Sequence, residues 1–470
     1  MTDENTLLNS DLESRYEKYK GIIKNFTLMS DIFMRNVFKQ RECLEYVLQV
    51  IMEKQDLKVI EQIIQKDYKN LQGKSAILDC VAVNAEGKEK LLDQILNVDF
   101  ELIKDLYEKT KKGVEMGDDI IEPIEYVDKS KLSKEEYENY EKLGDKIIKE
   151  GKLAVLTMAG GQGTRLGYNG PKGTFDIGLD THESLFELIC KPIKEANEKY
   201  GITIPWYIMT SHENNAETVN FFESHNYFGY PKEDIMFFIQ GELPMIDKEG
   251  KILVNEEGFL KLAADGHGGV FESMLKSGAL EDMNKRNIEW VFIGPVDNPL
   301  VNMVDPIFVA IAATKKCMAA GKSVVKARPE ERVGVFCKRN SKPSVVEYTE
   351  ISEEMSNKRD ANGELVFGES HINCNLFNIK RINEIAANKL PYHEAFKKAN
   401  YINAKGELVV ANKPNAYKFE TFIFDAFQSM ESMAVMRVKR EDEFAPVKNA
   451  EGVDSPETAR ELYINFHKKN

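Results

Sequence analysis

The residue types most suited to chemistry crowd into one stretch of this chain. Residues 156–173 read LTMAGGQGTRLGYNGPKG and continue the apolar run KLAVL. Glycines let backbone N–H groups turn inward and approach an oxyanion closely. Arg165 offers a planar fork to phosphate oxygens, and Lys172, held behind Pro171, a compact point charge. Two phosphate-binding patterns fail here. A dinucleotide loop needs a third small residue where this chain has Leu166, and a Walker loop needs Gly-Lys-Ser/Thr where Lys172 follows a proline. What remains is a strand, a long glycine-rich loop and a helix, with two cations placed to meet an anion.

The elements that must position this loop alternate. KLSKEEYENYEKLGDKIIKEG predicts a helix with a Ser133…Glu136 capping box and Gly151 as its stop. The strand KLAVLTM follows, then the loop, then a helix over 184–201 opened by Ser184…Glu187 and closed by Gly201. Strands are expected at IPWYIMTS, IMFFIQG and IEWVFIGPVDN, with helices over 215–229, 270–287, near 420–432, and after Ser455-Pro456. This βαβα rhythm predicts an α/β fold, a mixed, mostly parallel central sheet with helices on both faces. Ligands of such sheets lie beyond the carboxyl ends of the strands, where both the 159–173 loop and Asp297 fall.

Composition narrows the classes. The chain has 470 residues, room for several domains, with 42% hydrophobic and 30% charged residues and no low-complexity tract. A net charge of −14 argues against a nucleic-acid-coating surface, so cations meeting a phosphate must be local and few. No apolar run approaches a membrane span, and the first residues lack a signal-peptide pattern. Cysteines 43, 80, 190, 317, 337 and 374 show no metal spacing and read as reduced core residues of a cytoplasmic protein.

The loop LTMAGGQGTRLGYNGPKG resembles the signature of type 1 UDP-sugar pyrophosphorylases, the uridylyltransferases that join UTP to a sugar 1-phosphate. The resemblance continues through PWYIMTS, FFIQGELPMID, DGHGG, VDNPL, RVGVF, VVEYTEIS, KPNAYKFETFIFD and REDEFAPVKNAEGVDSPETAR, covering about 90–470 in order. REDEFAPVKNA is more similar to the UDP-N-acetylglucosamine branch than to the UDP-glucose branch. The resemblance implies a Rossmann-like nucleotide-diphospho-sugar transferase fold with a helical part at 89–150, a catalytic domain at 151–390 and a C-terminal domain at 391–470. It implies Mg²⁺ as cofactor on Asp297, and Arg165, Lys172, Lys418 and Lys448 as the phosphate-facing cations. Gly160, Gly161 and Gln240 would meet the base, Gly266 and His267 the uridine and sugar, Gly334 and Glu347 the sugar hydroxyls, and Phe422 and Phe424 the N-acetyl group. Phe422 and Phe424 could equally be core residues at a helix start. His267 and His371 stand where the N-acetylglucosamine branch usually carries asparagine. Asn373 or Asn375 could substitute for the latter, so N-acetylhexosamine and plain glucose or galactose both stay open, with the scaffold favouring the former.

Residues 22–88 instead resemble the beginning of PD-(D/E)XK transposase-associated nucleases, with Asp79 in AILDCVAV as the first metal-binding aspartate. The second catalytic strand is missing, so no nuclease activity is expected from this atypical 1–88 segment. Against the leading reading of an enzyme with UTP and a sugar 1-phosphate as partners, and neither nucleic acid nor membrane, stand two rivals. One is that nuclease; the other is a nucleotide-sugar binding protein without chemistry, which would need losses among Arg165, Lys172, Asp297, Lys418 and Lys448 that the chain does not show. Oligomeric state is not legible.

Overall fold

The computed structural model describes residue 91 and residues 94–112, 119–403 and 406–469. The expectations for residues 1–88, Asp79 and the nuclease resemblance among them, lie outside the described residues. The chain forms two compact units that are not consecutive in sequence. Among the described residues, the larger holds 119–241, 264–392 and 420–469; the smaller holds 91, 94–112, 242–263, 393–403 and 406–419.

The larger unit is built on a mixed sheet, eleven-stranded among the described residues. Seven of its strands are labelled here: β1 (Leu153–Met158), β2 (Trp206–Thr210), β3 (Ile235–Ile239), β4 (Trp290–Pro295), β5 (Ala319–Val325), β6 (Glu369–Asn378) and β7 (Ala434–Arg437). Their order is β7-β5-β6-β4-β1-β2-β3. β1 runs parallel to β2 and β4, β2 to β3, and β5 to β7, while β6 is antiparallel to β4 and β5. β1, β2 and β4 therefore share one carboxyl edge, and β5, two antiparallel steps away, ends on that same edge.

Both faces of the sheet are apolar. Val155 lies between Trp206 and Phe292, and all three face one core cluster with helices Leu185–Tyr200 and Pro306–Thr314. Next along the strand, Leu156 lies between Tyr207 and Ile293, in a second cluster with helix Val270–Ser277 and helix Ile379–Asn388. Successive strand side chains point to opposite faces, so an unbroken apolar run demands a helix layer on each side. Each large side chain so buried contributes about 1.5–3 kcal/mol.

Both predicted capping boxes form, at Ser133/Glu136 and Ser184/Glu187, and Gly201 ends its helix in the left-handed conformation at φ 65°. Three helices differ from expectation. The helix from Asn215 stops at Ser224, because Asn226, Tyr227 and Phe228 all take positive φ. The 270–287 segment breaks into Val270–Ser277 and Ala279–Lys285 at Gly278, φ 82°. The segment near 420–432 is a 3-10 helix, Ile423–Ser429.

The smaller unit carries helix Phe100–Lys112 and a three-stranded sheet ordered His393–Lys397, Ala416–Glu420, Ile246–Asp247. A small core of Met245, Leu253, Ala399 and Ala416 holds it.

Candidate active site

The glycine loop leaves β1 and is pinned at once. Asn214, fully buried after β2, donates its Nδ2 to the carbonyls of Ala159 at 2.9 Å and Gly161 at 3.3 Å. The N–H of Lys172 returns to the Gly161 carbonyl at 3.0 Å, and that of Gly163 to Gly170 at 2.9 Å. The loop is thus closed on itself by its own backbone, with the Tyr168 hydroxyl against Thr174 at 2.7 Å.

At the end of β3, Gln240 lies over Gly160. A Cβ on Gly160 would stand 2.6 Å from the Gln240 Oε1, so only glycine leaves room for that amide. Gln240 is 8% exposed, and its amide has no hydrogen-bond partner among the described residues. A nearly buried amide with donor and acceptor both unspent suits a planar ligand edge that presents the complementary pair. A Cβ on Gly161 would meet none of the other described residues within 4 Å, its chain neighbours aside.

Beyond β4, Asp297 accepts a 3.0 Å ion pair from Lys172, both side chains mostly buried. The Asp297 carbonyl accepts the Val447 N–H at 2.8 Å, which places Lys448 next in line. Lys448 is half-exposed and 4.0 Å from Asp454. Arg165, on the short 3-10 turn Thr164–Leu166, is exposed and has no side-chain partner among the described residues. Lys418 belongs to the smaller unit, on the strand Ala416–Glu420.

A third group gathers around two histidines. Gly266 takes φ 87°, and a Cβ there would meet the Thr421 carbonyl at 2.3 Å, so the position admits only glycine. His267 follows it. The Ile423 N–H donates to His267 Nδ1 at 3.1 Å, which leaves the proton on Nε2. His267 lies 5.5 Å from the Phe422 ring and 6.1 Å from Phe424, which stack on each other at 5.1 Å. His371 meets Phe424 edge-on at 6.0 Å. A bulge in β6 between the pairs Ser323↔His371 and Gly321↔Asn375, with Asn373 at φ 59°, aims these side chains together. The Nε2 of His371 donates to Asn375 Oδ1 at 3.0 Å, and Asn375 Nδ2 to Asn373 Oδ1 at 3.3 Å, leaving His371 Nδ1 as an acceptor. Burial pushes both imidazoles down to about 4; for His371 the Asn375 bond opposes the shift and neighbouring His267 adds to it. Both rings are therefore neutral near pH 7. The backbone N–H of His371 donates to the Gly334 carbonyl at 2.8 Å, and Gly334 lies against the Glu347 carboxylate.

Backbone links join the three groups. Asp265 N–H bonds the Gly241 carbonyl at 3.0 Å, tying Gln240 to Gly266, and the Lys172–Gly161 bond ties the base side to Asp297. Sequence reasoning missed Asn214. Its only signal is an Asn in the turn SHENN after a strand, which usually marks a helix start.

A resident metal would need several ligands, and among the described residues no group of three or more His, Cys, Asp and Glu could hold one. Mg²⁺ needs only one or two carboxylates when phosphates and water supply the rest. Asp297 fits an ion that arrives with a phosphate substrate.

The family model described as UTP--glucose-1-phosphate uridylyltransferase matches residues 98–454. The chain is 41% identical over 355 residues to the UDP-N-acetylglucosamine diphosphorylase 2 of Arabidopsis thaliana, covering 71% of this chain and 69% of that one. It is 38% identical over 366 residues to the UDP-N-acetylglucosamine pyrophosphorylase of Saccharomyces cerevisiae, covering 75% and 76%. The crystal structure of the uridine diphosphate N-acetylglucosamine pyrophosphorylase from Trypanosoma brucei, in complex with inhibitor, superposes with a TM-score of 0.73 at 32% identity, over 82% of this chain and 81% of that one. With a match spanning most of its length and the glycine loop's Lys172 meeting Asp297 at one sheet edge, the chain belongs to the UTP--glucose-1-phosphate uridylyltransferase family.

Proposed function

We propose that this protein is an enzyme that forms UDP-N-acetylglucosamine and pyrophosphate from UTP and N-acetylglucosamine 1-phosphate. The observation that carries it is the Lys172–Asp297 pair at 3.0 Å, bonded through the loop backbone to the Gly160–Gln240 contact. One edge thereby offers a base-reading amide and a phosphate-meeting charge set. Relatives at 38% and 41% identity that bear the N-acetylglucosamine name support this sugar, as does the stacked Phe422/Phe424 pair, an apolar surface for a methyl group.

A phosphate oxygen of the sugar 1-phosphate attacks the α-phosphorus of UTP, and pyrophosphate leaves. The attacking group is already an anion, so no side-chain base is required. The work lies in holding two anions in line and spreading the charge that builds between them. Gln240 fixes the uracil edge over Gly160 and Gly161. Lys172, Arg165 and Lys448 neutralise phosphate oxygens, each preorganised cation supplying about 3 kcal/mol of barrier reduction. Mg²⁺ on Asp297, when bound, adds Lewis-acid charge neutralisation on the phosphates. His267 offers a donor and His371 an acceptor to the sugar, with Gly334 and Glu347 beside them.

We place the enzyme in the cytoplasm. The described cysteines, Cys190, Cys317, Cys337 and Cys374, are buried free thiols, which suits a reducing compartment. No helix among the described residues is long and apolar enough to cross a membrane. Residues 22–88 are assigned no nuclease activity, because their sequence lacks the second acidic motif that the resemblance calls for.

The test is pyrophosphate release from UTP with N-acetylglucosamine 1-phosphate, glucose 1-phosphate and galactose 1-phosphate side by side. The first should be turned over with the highest kcat/KM. Lys172→Ala should abolish turnover, a loss of about a hundredfold or more, while UDP-sugar binding survives weakened. Glucose 1-phosphate as the best substrate would overturn the sugar assignment, and near-wild-type turnover by Lys172→Ala would overturn the role of the loop.

A further inference from the structure

The phosphate end of the site has a buried support that the reaction itself does not use. Asn298 follows Asp297 and is fully buried. Its Nδ2 donates to the Glu443 carbonyl at 2.7 Å, and its Oδ1 accepts the N–H of Ala445 at 2.9 Å and of Leu300 at 3.2 Å. One amide therefore stitches the turn after β4 to the segment 443–447, and the Val447–Asp297 backbone bond completes the stitch. Ala445, Val447 and Leu300 pack together in one core cluster.

The far side of the stitch is held as firmly. The Glu443 carboxylate accepts from Lys322 and lies 3.6 Å from Lys129. Asp305 takes Lys322 at 3.0 Å and Lys129 at 2.8 Å, while its other oxygen caps the helix Pro306–Thr314 at the N–H of Ile307 and Phe308. Lys322 also donates to the Asn302 carbonyl at 3.0 Å. Two cations and two anions balance. Burial opposes the charge on Asp305, yet Lys322 and Lys129 hold its carboxyl well below the usual range. A fully paired buried network has one low-energy arrangement, so the peptide it anchors cannot drift.

We infer that Asn298 is a positioning residue that fixes Asp297 and Lys448 as one preformed unit for the pyrophosphate moiety and its magnesium. It touches no substrate and acts through the two residues it joins. This rests on the uridylyltransferase reading above and deepens it: the pyrophosphate half of the site owes its geometry to a buried amide, whereas the base half owes its geometry to Asn214.

The test is calorimetric titration of the full-length protein with magnesium pyrophosphate and, separately, with uridine 5′-monophosphate. Asn298→Ala should weaken pyrophosphate binding by about tenfold to a hundredfold, the range seen when a group behind a metal ligand is removed, and leave uridine 5′-monophosphate affinity within about twofold, too small for a lost hydrogen bond. Asn298→Ser keeps an uncharged group that can serve the turn at Leu300 but is too short to reach Glu443 and Ala445 together. Asn298→Ser should fall between wild type and Asn298→Ala, and it carries the test if Asn298→Ala does not fold. Equal loss for both ligands, or unchanged pyrophosphate binding, overturns the inference. Wild-type protein that binds uridine 5′-monophosphate but no magnesium pyrophosphate overturns the enzyme reading itself, and the inference with it.

Discussion

His267 and His371 are two imidazoles packed against Phe422, Phe424, Phe336 and Phe427, and that setting gives them a pH signature. Burial holds each near 4, against 6.5 in the unfolded chain. Between those values the unfolded chain binds more protons than the folded one, so stability rises with pH across the window and is lost on acidification. Urea midpoints at stepped pH should be flat above about 7 and fall below it, each imidazole adding a slope of at most about 1.4 kcal/mol per pH unit. The double variant His267→Asn, His371→Asn should flatten that limb; an unchanged slope would move the effect to other groups. Residue type and motif made Gly160, Gln240, Lys172, Asp297, His267, His371, Phe422 and Phe424 visible as candidates, and all of them lie in the larger unit. The role of Asn373 and Asn375 was not legible, because a β-bulge rather than residue type decides which amide meets His371.

The glycine loop behaves as an element whose shape is imposed from outside. Its glycines permit the path, but the Asn214 amide selects it by holding two carbonyls at once. Asn214→Ala should cost about 1–3 kcal/mol, the penalty for orphaning buried acceptors, and raise KM for UTP more than it lowers kcat. Chemical denaturation and steady-state kinetics on the same preparation check both; a stability loss with KM unchanged would show that the loop holds its shape alone. Helix boundaries show the same division. Local caps announced Ser133 and Ser184, since a capping box is satisfied within four residues. The break at Gly278 was hidden by apolar positions that continue in phase through it, with Met274 and Met283 in one cluster. Positive φ at Tyr227 and Phe228 has no sequence signal at all, as aromatics seldom adopt it, and packing of Phe228 and Tyr227 around Phe222 holds them there.

Across the whole larger unit, the Lys322–Asp305–Glu443–Lys129 cluster is the joint where β5, the helix after Asp305 and the C-terminal segment meet. Lys322→Met would leave two buried carboxylates with Lys129 alone. A destabilisation of about 3–5 kcal/mol is expected, the range for removing one partner of a buried ion pair. Thermal and urea unfolding measure it, and a loss below about 1 kcal/mol, the scale of an exposed pair, would mean that water already screens the cluster. Sequence by itself determined the α/β class, the strand-loop-helix that carries the glycine-rich loop, and the family. The class and the local elements rest on relations close along the chain, alternation within a strand and a cap within one turn, and the family on motif blocks that follow one another in order over about 90–470. Only tertiary structure decided that Lys172 pairs with Asp297, that Asn298 joins it to the 443–447 segment, and that a neutral histidine pair faces two stacked phenylalanines. The Lys172–Asp297, Asn298–Glu443 and His267–Phe422 contacts join residues more than a hundred positions apart, and nothing in the local composition of either partner specifies the other.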